Sequence, residues 1–307
     1  MSISLIVFAL ALVVAATVGA VSATVAGFMT RAQRRPPLDG DGWADVPVQS
    51  VQLVPRGGGP ALAGSFVPAA DATSAIVFVH GKDCSRGSEL KTSTHALVRA
   101  LRDRGFAVLM LDLRGHGESA AARMSYGLHE RHDVLGAVDW LIARGFAPQR
   151  IGLFGASMGG ACAIGALAHD PQLVGPLVLD SSFADFGEMM RRNFSRLSGM
   201  PRWLLPSTLW WSRRLLRADL RRLRPADELA RSPRRPLLVV HARNDPFVAV
   251  DHAHALARAG DGGLWITDGR HHLAAYRDAP ALYIERVAGF YEAHLPAQAQ
   301  APSARLA

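Results

Sequence analysis

Apolar residues fall into three kinds of pattern along the 307-residue chain. The first is unbroken: Ile3 to Met29 is a run of 27 residues without a charge. The second is short and strongly apolar, at Ala75–His80, Ala107–Asp112, Ile151–Gly155, Leu177–Asp180, Leu237–His241 and Leu264–Thr267, as in strands buried on both faces of a parallel sheet. The third has helical spacing and fills the gaps, at Glu89–Arg104, Leu128–Arg144, Met158–His169, Asp251–Arg258 and Ala281–His294. Ahead of them, Val46–Val54 and Leu62–Val67 alternate, and the Gly57-Gly58-Gly59-Pro60 turn joins them as a predicted hairpin. Repeated strand–helix units predict an α/β domain over about 46–295, with a mostly parallel sheet covered by helices on both faces. Sites in such sheets lie beyond the carboxyl ends of the strands. Residues 31–45 read as a linker, with Pro and Gly in Pro36–Asp45 opposing regular structure, and 296–307 as a disordered tail.

The leader, residues 1–30, predicts a membrane anchor. A 27-residue helix reaches roughly 40 Å at about 1.5 Å per residue, more than a ~30 Å hydrocarbon core. A cleaved signal peptide is the alternative, since Val21-Ser22-Ala23 and Thr24-Val25-Ala26 offer small residues for cleavage. Signal peptides carry positive charge before the apolar stretch, whereas here Arg31, Arg34 and Arg35 follow it. By the positive-inside rule these arginines hold that end, and the domain after it, in the cytoplasm. Cys84 and Cys162 fit a reducing compartment.

One stretch breaks the alternation. Between Asp180 and Leu237 no strand pattern occurs, and 183–233 holds eleven arginines against Asp185, Glu188, Asp219, Asp227 and Glu228, together with Trp203, Trp210 and Trp211. It reads as a helical cap insertion, either a solvated surface with its aromatics packed inward or a cap leaning on anionic membrane lipid. The formal net charge of +8 is concentrated there and behind the leader. Nucleic acid is not the expected partner, because no base-reading motif accompanies the charge. A charged fraction of 20% with 49% hydrophobic residues excludes a mostly disordered chain, and two cysteines exclude a disulfide framework or an all-Cys zinc site.

The strongest chemical signal is Gly155-Ala156-Ser157-Met158-Gly159-Gly160, with a buried strand running in and an Ala-rich helix running out. This G-x-S-x-G context is a nucleophile elbow: a serine at the apex of a tight strand-to-helix turn, with glycines two before and two after leaving room for the bend. A serine hydroxyl needs a base, and the base an orienting acid. Asp245 follows the strand at Leu237–His241 in a position to serve as that acid; Asp180, at the end of the preceding strand, is the rival. After Leu264–Thr267 come Asp268-Gly269-Arg270-His271-His272, and the residues alone leave His271 and His272 competing as base. Two backbone N–H groups are expected to receive a developing oxyanion, those of Met158 and of Lys82 in His80-Gly81-Lys82-Asp83. His80 precedes the serine, contrary to the order expected of a base, and reads as a loop-structuring residue.

Together and in order, His80-Gly81, Asp112-Leu113-Arg114-Gly115-His116-Gly117-Glu118-Ser119, the elbow, Asn244-Asp245-Pro246-Phe247-Val248 and the terminal histidines resemble the α/β-hydrolase fold family over about 46–295. The chain looks like its membrane-anchored bacterial serine hydrolases of esterase or serine-aminopeptidase type. The resemblance implies Ser157 as nucleophile, Asp245 as acid and a histidine near 271–272 as base. Relatives often carry Gly-x-x-His with an aromatic four residues later; Gly269-Arg270-His271-His272 with Tyr276 matches, which favours His272. It implies a structural role for the Asp112–Ser119 loop. The expected activity is hydrolysis of a small acyl substrate, a carboxylic ester ahead of a peptide or amide, without metal, nucleotide or prosthetic group. A non-catalytic membrane scaffold of the same fold is the alternative of another class.

Overall fold

The structure, a computed structural model, describes residues 2–35, 43, 46–90 and 94–295. The expected tail and, apart from Trp43, the Pro36–Asp45 part of the linker lie outside the described residues.

Eight strands form one sheet in the order β1-β2-β4-β3-β5-β6-β7-β8. They are β1 (Gln49–Leu53), β2 (Leu62–Val67), β3 (Ala75–Val79), β4 (Ala107–Leu111), β5 (Ile151–Ala156), β6 (Leu177–Asp180), β7 (Leu237–Ala242) and β8 (Gly263–Thr267). β1 and β2 pair as the antiparallel hairpin, β2 lies antiparallel to β4, and every later pair is parallel. The hydrophobic runs are continuous because both faces are covered. Ala75, Val77 and Val79 of β3 and Ala107, Leu109 and Leu111 of β4 pack into one core, while Ile76, Phe78, Val108 and Met110 pack into the other.

The helices divide accordingly. α3 (Glu130–Ile142), α4 (Met158–His169) and α8 (Val250–Gly260) fill the first core; α2 (Thr94–Asp103) and α10 (Pro280–His294) fill the second. α9 (Ala274–Asp278) precedes α10. The insertion is helical, as expected: α5 (Phe186–Ser198), α6 (Leu205–Leu216) and α7 (Pro225–Arg231). α7 packs between α4 and α8, so the part standing off the sheet is α5 and α6.

The leader is a single helix, α1 (Ile3–Met29). Its first turns are exposed, but Ser22, Val25, Ala26 and Met29 are buried against α6 and the first core. The Ser22 and Ser207 hydroxyls lie 2.7 Å apart, and the Tyr126 hydroxyl donates to the Met29 carbonyl at 2.9 Å. The chain after it is also held: the Gln33 N–H donates to Asp83 Oδ1 at 2.8 Å, and the Arg34 guanidinium donates to the Gly117 and Ser119 carbonyls.

Candidate functional site

The parallel register aligns the carboxyl ends of β3, β5, β6, β7 and β8, so the segments following them meet at one edge of the sheet. At the end of β5 the chain reverses into α4 through Ser157, whose φ of 51° and ψ of −116° are strained for any residue with a Cβ. The reversal works because Gly155 has no side chain: a Cβ there would come within 2.6 Å of Gly160 Cα. The Ser157 N–H is fixed to the Asp180 carbonyl at 2.8 Å, and the side chain at the apex stays partly exposed.

The residues expected to cooperate with it come together. Ser157 Oγ lies 2.8 Å from His272 Nε2, and His272 Nδ1 lies 2.7 Å from Asp245 Oδ2. The other carboxylate oxygen, Asp245 Oδ1, accepts from the Phe247 N–H at 2.7 Å and the Val248 N–H at 3.0 Å, which orients the acid from behind. Burial alone would lower the His272 pKa, but the hydrogen bond and charge of Asp245, with Glu89 and Asp180 nearby, hold it above the ordinary value. Burial would raise that of Asp245; its bonds to His272 and to the two backbone amides outweigh this and hold it below the ordinary carboxylate range. The pair is thereby biased toward an anionic acid beside a basic imidazole. His271 is exposed and makes none of these contacts.

Asp180, the rival acid, is occupied elsewhere. Its Oδ1 accepts from the Ser181 hydroxyl at 2.9 Å and its Oδ2 from the Tyr283 hydroxyl at 2.7 Å. Complete burial pushes its pKa to about 6.

The β3 loop lies against the serine, since a Cβ on Gly81 would be 3.1 Å from Ser157 Cβ. The Met158 N–H opens α4 and so has no partner within its helix. The Lys82 N–H donates to no acceptor among the described residues. His80 is neutral and structural: Nδ1 donates to the Gly81 carbonyl at 2.7 Å and Nε2 accepts from the Leu113 N–H at 3.0 Å. Burial drives its pKa to about 3. The Asp112–Ser119 loop is likewise a brace, with Asp112 accepting from the Arg86 and Glu118 amides and paired with the Arg86 guanidinium. Gly117, at φ 47°, leaves space that the Asp112 carboxylate occupies.

Two neighbours escaped the sequence reading. Glu89, expected at the start of a helix, sits instead in a turn ahead of α2, buried, with Oε2 accepting from the Gly81 N–H at 2.5 Å. Burial raises its pKa to about 7. A lone glutamate among polar loop residues carries no mark of this. Phe247 sets its ring 5.7 Å from the His272 ring, and the cap closes over it: Asn193 donates to the Phe247 carbonyl at 2.7 Å and the Arg196 guanidinium stacks 4.0 Å above the Phe247 ring. No group of metal-ligating side chains occurs among the described residues.

Comparison with known proteins fits this geometry. The chain is 27% identical over 246 residues to YqkD, an uncharacterized protein of Bacillus subtilis, an alignment covering 78% of each chain. It is 28% identical over 197 residues to human protein ABHD12B, covering 61% of this chain and 49% of that one. Among solved structures, the Pyrococcus furiosus esterase Pf2001 superposes with a TM-score of 0.70 at 22% identity, over 87% of this chain and all of that one. The acylaminoacyl peptidase of Pyrococcus horikoshii superposes with a TM-score of 0.59 at 17% identity, over 83% of this chain and 42% of that one. The eight-stranded sheet, the strained serine at its centre and a family model matching residues 92–296 lead to one conclusion: the chain is an α/β-hydrolase and belongs to the prolyl oligopeptidase family.

Proposed function

We propose that the protein is a serine hydrolase that cleaves carboxylic esters through an acyl-enzyme. The observation carrying this reading is the unbroken relay from Ser157 Oγ to His272 to Asp245 at 2.8 and 2.7 Å. His272 Nε2 takes the hydroxyl proton as Oγ bonds to the acyl carbon. Asp245 keeps the Nδ1–H tautomer and balances the imidazolium charge. The Met158 and Lys82 amides receive the oxyanion. His272 then returns the proton to the leaving alcohol as the C–O bond breaks, and a water deprotonated by the same imidazole releases the acid.

Peptide or amide hydrolysis with the same residues is the second reading, favoured by the family match to prolyl oligopeptidases. Aminoacyl amides tested beside acyl esters separate the two. Labelling with a fluorophosphonate tests both: the wild type is expected to react and Ser157→Ala is not. Absence of labelling in a folded wild type would leave the non-catalytic scaffold as the better account.

The same proposal takes α1 as a retained anchor, with the domain on the cytoplasmic side. Both small-residue stretches that would suit a signal peptidase, Val21-Ser22-Ala23 and Thr24-Val25-Ala26, lie in turns packed on α6; cleavage after Ala23 would remove the buried Ser22, and cleavage after Ala26 would also remove the buried Val25 and Ala26. A C-terminal reporter active only outside the cytoplasm is expected to stay silent; strong activity would reverse the orientation.

A further inference from the structure

The final turns of α1 do more than tether. α1 touches α6 at Ser22 and Ser207, and both helices end against one short segment: Met29 bonds to Tyr126, and the Leu216 carbonyl accepts from His129. The two therefore run side by side in the same direction, and the start of α6 points toward the exposed half of α1. Trp203 and Arg202 stand in the 3-10 turn just ahead of α6, four and five residues before Ser207, or on the order of 7 Å farther along the shared axis. That is the height of Thr17 and Val18, where α1 passes from wholly exposed to packed turns. The wholly exposed part, Ile3–Thr17, would span about 22 Å, and the half-buried turn through Ala20 brings this to about 27 Å, close to a hydrocarbon core of ~30 Å.

What the cap presents at this height is unusual for a face meeting water alone. Trp203 is 64% exposed. Beside it, a hollow of about 610 Å³ is lined by Arg191, Arg192, Arg202, Leu205 and Pro206, with Glu188 as its one carboxylate. Of the eleven arginines between 183 and 233, carboxylates among the described residues pair only with Arg221 and Arg224. An indole and guanidinium groups level with the point where an apolar helix emerges match the interface of an anionic bilayer, where Trp sits at headgroup depth and each Arg gains from the surface charge.

We propose that the α5–α6 cap face beside α1 docks on anionic phospholipid, with Trp203 in the headgroup layer and Arg191, Arg192 and Arg202 against lipid phosphates. The proposal rests on α1 being a retained anchor. It makes the cap a membrane-held element whose α5 also grips the acid loop through Asn193 and Arg196, so the bilayer holds the roof of the candidate site in place.

The test uses the full chain reconstituted into vesicles of phosphatidylcholine, alone or with phosphatidylglycerol, containing lipid brominated near the headgroup end of its acyl chains. Flotation that survives an alkaline wash tests the anchor; its loss would sink the anchor and the docking together. With flotation intact, bromolipid is expected to quench part of the tryptophan emission. Trp203→Phe should remove most of that quenching, and Trp210→Phe, about two turns farther from the bilayer, clearly less. Phosphatidylglycerol should raise the quenching and added salt reverse it, with each arginine shifting the docked-to-free ratio about fivefold. The combined Arg191→Gln, Arg192→Gln and Arg202→Gln variant should lose the phosphatidylglycerol effect. Equal quenching in the wild type and Trp203→Phe, or an effect that survives the triple change, would overturn the docking while leaving the anchor standing. Unfolding midpoints of the variants guard against misfolding as the cause.

Discussion

Asp245→Asn is the most discriminating single change, because the amide must choose between two sets of partners. Asp245 Oδ1 accepts from the Phe247 and Val248 amides, while Oδ2 accepts from His272 Nδ1. If the asparagine oxygen keeps the two backbone bonds, its NH₂ faces Nδ1, which must then be the acceptor. The ring proton moves to Nε2, and nothing remains to deprotonate Ser157. If the amide flips to restore the Nδ1–H tautomer, two N–H donors are left facing an NH₂. Unpaired buried donors cost about 1–3 kcal/mol each. The productive flip is therefore disfavoured by about 2–6 kcal/mol, or roughly 1.5 to 4.5 decades at 1.36 kcal/mol per decade. Loss of the negative charge opposite the imidazolium adds to this, so ester turnover is expected to fall about 10³-fold or more. The assay is initial-rate hydrolysis of a short chromogenic ester by the full chain, with unfolding midpoints showing that the variant is folded. Asp180→Asn serves as the counterpart; it disturbs the bonds to Ser181 and Tyr283 but leaves the Ser157–His272–Asp245 contacts in place. If Asp245→Asn stayed within about tenfold of wild type while Asp180→Asn abolished turnover, the acid would be Asp180 and the mechanism proposed above would fail.

Other outcomes follow from the same geometry. His272→Ala is expected to lower turnover by several orders of magnitude, as loss of a triad base does, whereas the exposed His271 should tolerate alanine with little change; the opposite pattern would reassign the base. Only the neutral His272 imidazole can accept the serine proton, so kcat/KM should fall as pH drops through its pKa. Because that pKa is held above 6.5, the midpoint of the acidic limb should lie above 6.5. Glu89→Gln removes one of the negative charges raising it and should move the midpoint to lower pH; an unmoved midpoint would show that Glu89 is not electrostatically coupled to the imidazole. Gly159→Ala would place a Cβ against the Val79 and His80 carbonyls, 2.6 Å from the latter, and should destabilise by about 1–3 kcal/mol or more. A thermal midpoint equal to wild type would contradict the packing described here.

Within the sequence itself, local physics specified much of the architecture. Buried strands are short and apolar because both faces are covered, so β2 and β6 coincide with their expected runs and the other strands differ only by residues at their ends. Ser157 was legible for the same reason, since a strand, a glycine-flanked serine and a small-residue helix are all local signals. Local signals could not separate His271 from His272, because neighbouring residues on a loop differ only in where the backbone aims them. The fold decides this by directing residue 272 at Ser157 Oγ and leaving residue 271 in solvent. Glu89 was illegible because its significance is burial beside Gly81, a contact made by a turn that carries no periodicity. The leader shows the same division: apolarity and length announce a helix able to cross a membrane, but the packing of Ser22, Val25 and Met29 depends on α6, some 185 residues away along the chain at the Ser22–Ser207 contact. Periodicity and turn chemistry act over a few residues and can be read in order, whereas convergence of distant side chains is a property of the closed sheet.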